Sequence, residues 1–202
     1  MRFIKIKNII LVKVGSLYNE NHVNKLYNSL NSSDSKFWCY TENAEGINPN
    51  INIIKPICTL KKWWNKLALF SDKMPYEGEC LFFDLDIEIK KSFSLPDFQG
   101  LTLLYDYTKE YLFWRPHAYD VRINSSMMAW THGEQTEIWN KFYSNRDYYM
   151  RKYPGIDRFI EHENIEYKIR NDLINIMQVN DRPEAPIYSY NGMKYELTRK
   201  IL

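Results

Sequence analysis

Apolar residues along the chain fall into short blocks separated by polar turns, and the period of each block predicts its element. Asn8–Val14 is a short apolar run of the kind buried in a parallel sheet. Val23, Leu26, Tyr27 and Leu30 then recur at helical spacing, with Asn19 or Asn21 available as the cap. Lys36–Tyr40 and Ile51–Ile54 read as strands on either side of the turn-rich ENAEGINPN. Trp63, Leu67, Phe70 and Met74 are spaced i, i+4, i+7 and i+11, which predicts one face of an amphipathic α-helix capped by Thr59 and ended by Pro75. Cys80–Phe83 is a strictly apolar strand with acidic residues directly behind it, and Leu101–Tyr105 and Ile123–Trp130 are two more strands. Thr131-His-Gly-Glu134 fits a capping box opening a helix through Ile138, Trp139 and Phe142. Ile156, Phe159 and Ile160 suggest a last helix, and the final twenty residues read as strand or extended tail. Strands alternating with helices predict an α/β fold with a mostly parallel central sheet.

At 202 residues the chain suits a single domain over 1–202, and no repeat or Pro/Gly-rich linker divides it. A formal net charge of +2 lacks the clustered basic excess of phosphate-backbone binders, so nucleic acid is not the expected partner. Aromatic residues reach 16%, enough to supply stacking faces as well as core. Cys39, Cys58 and Cys80 lie about twenty residues apart in no metal or disulfide spacing, which suits a reducing compartment. MRFIKIKNIILVKV begins like a leader, but its apolar run stops at Lys13 with no small-residue cleavage site behind it. No stretch reaches the ~18 apolar residues of a membrane span. A cytoplasmic protein is expected.

In doubly wound sheets ligands bind beyond the carboxyl ends of the strands, so the residues following each strand are the places to look for chemistry. These are Gly15-Ser-Leu-Tyr18, Thr41-Glu42-Asn43 and Asp84-Leu-Asp86. The seven glycines form neither G-x-G-x-x-G nor a P-loop, and H-E-x-x-H and G-x-S-x-G are absent. A D-x-D tripeptide alone is weak, since a chain with 11 Asp contains one by chance roughly 0.6 times. Its setting in LFFDLDIEI gives it weight. Extended residues two apart project to one side, so Asp84 and Asp86 can aim both carboxylates at one point. All-oxygen ligands favour Mg²⁺ or Mn²⁺ completed by water and phosphate. Two solvated carboxylates at a strand end are the plain alternative.

Gly15-Ser-Leu-Tyr18, Tyr40-Thr-Glu42, Trp63-Trp-Asn-Lys66, FFDLDIEI, Asn124-Ser-Ser126 with Met127-Met-Ala-Trp130, and Gly155-Ile-Asp157-Arg158-Phe159 together resemble a nucleotide-sugar glycosyltransferase of the GT-A, Rossmann-like fold. The likeness extends to the small glycosyltransferase domain of chlorella viruses, which acts in capsid glycosylation, in order from about residue 8 to residue 163. The resemblance implies a nucleotide-binding part over about 1–90 and an acceptor-side part over about 91–202. Asp84 and Asp86 would hold a divalent ion bridging the donor diphosphate, with Leu85 between them in the donor site. Gly15, Ser16 and Tyr18 would lie at the nucleotide base, with Thr41 or Glu42 at its edge. Lys66 would reach the diphosphate or the donor sugar, while Trp63 and Trp64 pack in the core. Asn124, Ser125 and Ser126 would meet sugar hydroxyls, and Asp157 would stand near the transferred sugar, as the base if the reaction inverts or orienting the sugar if it retains configuration.

Relatives read Gly-Asp-Gln or Gly-Asp-Asp where this chain has Gly155-Ile-Asp157. A C-terminal metal-ligand histidine found in some subfamilies has no counterpart, the last His being His162. Tyr111-Leu-Phe-Trp-Arg-Pro-His117 carries no family role; it suits an acceptor-side aromatic platform or an ordinary packed loop. The expected partners are a nucleoside diphosphate sugar, with uracil as the base, and a glycan or other hydroxyl acceptor. Two other readings compete: a non-catalytic glycan- or nucleotide-sugar-binding module on the same fold, and a nucleotidyltransferase, for which VGSLYNEN lacks the Gly-rich basic loop.

Overall fold

A computed structural model describes residues 6–30, 35–93, 98–107, 121–176 and 184–189. Their apolar runs form β1 (Asn8–Lys13), β2 (Lys36–Thr41), β3 (Ile51–Ile54), β4 (Glu79–Phe83), β5 (Ile87–Ile89), β6 (Thr102–Tyr105), β7 (Ile123–Thr131), β8 (Lys168–Arg170), β9 (Ile174–Ile176) and β10 (Ile187–Ser189). The helices are α1 (Glu20–Leu30), a 3₁₀ helix (Lys62–Phe70), α2 (Thr136–Ser144), α3 (Arg146–Lys152) and α4 (Ile156–His162). A seven-stranded sheet takes the order β3-β2-β1-β4-β7-β6-β8, and a second, three-stranded sheet the order β5-β10-β9. In the large sheet β3, β2, β1 and β4 run parallel, β7 is antiparallel to both neighbours, and β6 pairs parallel with β8. The expected α/β architecture with a mostly parallel sheet is therefore present.

Alternation along the strands builds a core on each face. Ile10, Phe82, Met128 and Trp130 join one cluster with Trp64, Phe70, Phe142 and Phe159 from the 3₁₀ helix, α2 and α4. Ile9, Leu11, Leu81, Phe83 and Ala129 join the other with Val23 and Leu26 of α1 and Ile87, Ile174 and Ile187 of the small sheet. Asn19 caps α1 as expected: its side-chain oxygen accepts the Asn21 N–H at 3.1 Å. Cys39, Cys58 and Cys80 are free thiols.

Several expectations are corrected. The segment after Thr59 is a 3₁₀ helix ending at Phe70 and not an α-helix through Met74, and no side chain caps it. Every residue from Trp64 to Phe70 is buried, Asn65 and Lys66 included, so the i, i+4 stripe is only part of a surface covered on all sides, and α-helical periodicity does not apply. Trp64 packs in the core, stacked on Phe142 at 5.1 Å, but Trp63 is 44% exposed and is not a core residue. Thr131-His-Gly-Glu134 forms a turn and not a capping box. Thr131 closes β7 with its hydroxyl on the Phe98 carbonyl, Glu134 N–H returns to Thr131 O, and α2 starts at Thr136 with no side-chain cap. Helix α3 and strands β5, β8 and β9 were not expected. The chain's end contributes β10, while the residues beyond 189 and the Tyr111–His117 stretch lie outside the described residues.

Phe159 is fully buried against Trp64, Phe142, Tyr149 and Tyr153. Phe159→Ala should cost about 3–5 kcal/mol of stability, read as a lower urea midpoint at unchanged slope. A loss below about 1 kcal/mol would show that this aromatic cluster does not hold the sheet's helical face together.

Candidate functional site

The carboxyl edge of the parallel strands collects the polar side chains. Strand β4 ends at Phe83 and the next residue, Asp84, stays in register, its N–H donating to Ser126 O at 2.8 Å. Because β7 runs opposite to β4, its beginning lies at the same edge. There the β6–β7 pairing jumps: Leu103 opposes Met128 but Leu104 opposes Asn124, leaving Ser125, Ser126 and Met127 bulged out of the ladder. Asn124 Oδ1 holds the bulge by accepting the Ser126 N–H at 2.8 Å.

Lys66 reaches into this edge from the 3₁₀ helix. Its ammonium donates to Asp84 Oδ2 at 2.6 Å and to Ser125 O and Oγ at 3.3 Å each, and it sits 5.3 Å above the Phe82 ring. The pair is well shielded, with side chains 10% and 23% exposed. Asp157, in the first turn of α4, comes to the same place and accepts hydrogen bonds from the Ser125 hydroxyl and backbone. Its Oδ1 is buried and has no hydrogen-bond partner. Tyr18 closes the cluster from the β1 side: it is hydrogen-bonded to Asp86 and sets its ring edge-on to His22.

Electrostatics follow from that crowding. Burial pushes the Asp84 carboxyl up to about 6; Lys66 opposes the shift, and Asp86 and Asp157 add to it by like-charge repulsion. Burial likewise raises Asp157, against the pull of Lys66 and the Ser125 hydrogen bonds and with repulsion from Asp106. The Tyr18 hydroxyl is raised by burial first and by Asp86 and Asp84 after that.

Asp106 belongs to no motif in the sequence. It directly follows β6, whose direction matches β4, so it stands at a strand end on the same edge, and its position behind an apolar strand is the signal that marks it.

At the β1–β2 corner Gly15 has φ +78, a left-handed conformation suited to glycine, with open space where a Cβ would stand. That turn aims its N–H at Glu42 Oε1, 2.6 Å away. Thr41 is buried, and its hydroxyl and the Lys13 ammonium both donate to Asn43 O, at 2.9 and 2.8 Å. Ser16 is exposed, and the Leu85 side chain is buried in the second core, leaving only its backbone at the edge. The structure thus gathers Lys66, Asp84, Asp86, Ser125, Asp157 and Tyr18 in one cluster. Gly15, Thr41 and Glu42 make a second cluster at the adjoining corner, and Ser126 serves the bulge through its backbone.

These residues fit a divalent cation in part. Asp84 lies within electrostatic reach of two further carboxylates, Asp86 and Asp157, and of one ammonium, which leaves excess negative charge, and one buried oxygen of Asp157 has no partner. Among the described residues, however, no three His, Cys, Asp or Glu side chains make a metal cage, and Lys66 already holds one oxygen of Asp84. Such a donor set suits an ion that draws most of its ligands from water and phosphate.

The raised Asp84 carboxyl sets a sign for pH. Between its ordinary 3.8 and about 6 the folded chain keeps a proton that the unfolded chain releases, so this group's contribution to stability falls as pH rises through that window. Urea denaturation of wild type and Asp84→Asn at pH 4.5 and pH 7 should therefore show the variant gaining relative to wild type at the higher pH. An unchanged difference would place the Asp84 titration outside that window.

The fold has known counterparts. The pneumococcal glycosyltransferase GlyE (Streptococcus pneumoniae TIGR4) superposes with a TM-score of 0.65 at 12% identity over 94% of this chain. The chain spans only 55% of GlyE's length. A glycosyltransferase involved in glycosylation of the major capsid of the virus PBCV-1 superposes with a TM-score of 0.59 at 16% identity, over 96% of this chain and 98% of that one. The galactosyltransferase LgtC, solved with donor and acceptor sugar analogues, gives 0.56 at 11% identity over 92% and 87%. No protein-family model and no curated protein sequence matches the chain. The chain has the GT-A glycosyltransferase fold, as the sequence motifs implied.

Proposed function

We propose that the protein is a metal-dependent glycosyltransferase that moves a sugar from a nucleoside diphosphate sugar, a UDP-sugar by preference, to a hydroxyl of a glycan or other acceptor. One observation carries the reading. Lys66, Asp84, Asp86, Ser125 and Asp157 converge at the carboxyl edge of the sheet, where a doubly wound fold takes its ligand.

Breaking the bond between the anomeric carbon and the phosphate leaves negative charge on the departing diphosphate and positive charge on the sugar. The Lys66 ammonium, screened from water by Phe82 and the β7 bulge, stabilises the first of these as a point charge in a low-dielectric site. Asp84 and Asp86 would hold Mn²⁺ or Mg²⁺, which when bound supplies Lewis-acid stabilisation of the same leaving group. Gly15, Ser16, Thr41 and Glu42 form the corner proposed for the base, with Tyr18 between it and the carboxylates, and the Leu85 backbone, Ser125 and Ser126 border the donor. Asp157 has the raised proton affinity and the unpartnered oxygen of a general base, and takes the acceptor's proton if the reaction inverts. If configuration is retained, it orients the transferred sugar.

Purified protein should hydrolyse or transfer from a nucleotide sugar only with Mn²⁺ or Mg²⁺ present. Asp84→Ala and Asp86→Ala should each lower turnover by roughly 10²-fold or more without unfolding the chain. Activity that survives a chelator, or near-normal turnover in either variant, would sink the metal assignment. Nucleotide sugars with Mn²⁺ should also raise the melting temperature of an enzyme, whereas a glycan-binding module would respond to free sugars without metal.

A further inference from the structure

Trp63 is the misfit of the 3₁₀ helix. The seven residues after it are buried, yet this large ring is 44% exposed. Two features hold it there. Lys62, immediately before it, has φ +50, a left-handed conformation that costs a non-glycine residue on the order of 1 kcal/mol or more. The buried Asn65 side chain pins that turn, its amide donating to Lys62 O at 2.8 Å and Leu60 O at 3.0 Å. Opposite the ring stands Gly155. Its φ of −172 is ordinary extended backbone, so the conformation does not require glycine. Space is tight, however: a Cβ there would meet the Trp63 ring nitrogen Nε1 at 3.3 Å, so the ring would have to give by a few tenths of an ångström. A strained turn and a notch thus fix one rigid aromatic with much of its surface in water.

Its position is specific. Residues three apart eclipse in a 3₁₀ helix, so Trp63 stands on the line of Lys66, about 6 Å along the axis. Gly155 is two residues from Asp157. Trp63 therefore stands beside the start of α4, which carries Asp157, and on the helix that carries Lys66. The Lys62 ammonium, on an exposed and flexible stem, lies 5.1 Å from the ring centroid. That contact marks a π face open to an electropositive group, and the C–H face of a pyranose is another such group.

We propose that Trp63 is the stacking floor of an acceptor subsite that takes one pyranose ring of a carbohydrate. The inference rests on the transferase reading for the word acceptor, but the sugar contact itself does not require catalysis.

The test follows the indole N–H resonances of ¹⁵N-labelled protein, with the Trp63 signal assigned by its loss in Trp63→Phe. Methyl glycopyranosides of glucose, galactose, mannose and rhamnose are titrated with and without UDP and Mn²⁺. At least one should move the Trp63 signal saturably. Trp63→Ala should weaken that binding about ten-fold or more and Trp63→Phe much less, with UDP affinity held within about two-fold in both. The subsite is overturned if no glycoside moves that signal, if the alanine variant binds as wild type does, or if UDP affinity falls in parallel. Glycoside binding through Trp63 in a protein that ignores every nucleotide sugar would keep the subsite and remove the transferase.

Discussion

The structure turns on one shielded ion pair, Lys66 with Asp84 at 2.6 Å. Taking an ammonium and a carboxylate this far out of water costs several kcal/mol per ion, and the cost is offset only when each remaining donor and acceptor finds a partner. The partners come from three directions. Ser125 turns both its carbonyl and its hydroxyl to the ammonium, the Phe82 ring lies beneath it, and the Asp84 N–H is taken by Ser126 O. The 3₁₀ helix, the β7 bulge and the end of β4 are thereby tied to one point, and their relative placement follows from satisfying that point.

The reversal of β7 makes this possible. A parallel strand between β4 and β6 would bring its carboxyl end to the edge where Asp84 stands. Running antiparallel, β7 brings its beginning there, so Asn124, Ser125 and Ser126 are polar and buried while Met127–Trp130 can be wholly apolar and fill both cores. The same edge then receives Asp106 from β6 and Asp157 from α4. It gathers more negative charge than Lys66 neutralises; burial displaces the Asp84 and Asp157 carboxyls upward, and that surplus adds to the displacement.

Strands and their order of appearance were legible because burial on both faces writes continuous apolar runs, as in Ile9–Val12 and Leu81–Phe83. Short elements were not: β5, β8 and β9 are three residues each, too few to show a period. The 3₁₀ helix was mistaken for α because Trp63, Leu67 and Phe70 satisfy helical spacing, while the burial of Asn65, Lys66 and Ala68 depends on elements far away in sequence. At the site, the D-x-D was legible through its place behind an apolar strand. Its bond to Lys66 was not, because a lysine eighteen residues earlier on a helix carries no local mark of its partner. Helical spacing placed Trp63 on the apolar face with Leu67 and Phe70; its exposure goes with the Lys62 turn and the close approach of Gly155, neither of which has a sequence period.

The two ends of the cluster are built in opposite ways, and the contrast bears on what each can hold. The Gly15–Glu42 corner is closed on itself: the Glu42 carboxylate holds a backbone N–H, and the Thr41 hydroxyl and Lys13 ammonium converge on one carbonyl. A planar ligand edge entering there must compete with bonds already made, which favours a group offering equivalent donors and acceptors over an apolar one. The Trp63 end is open, with a ring fixed by its surroundings and little polar chemistry of its own. A ligand face laid on it gains from replacing water and loses few hydrogen bonds. Directional recognition at one end and shape-tolerant stacking at the other would let a single site be strict toward one ligand and permissive toward a second.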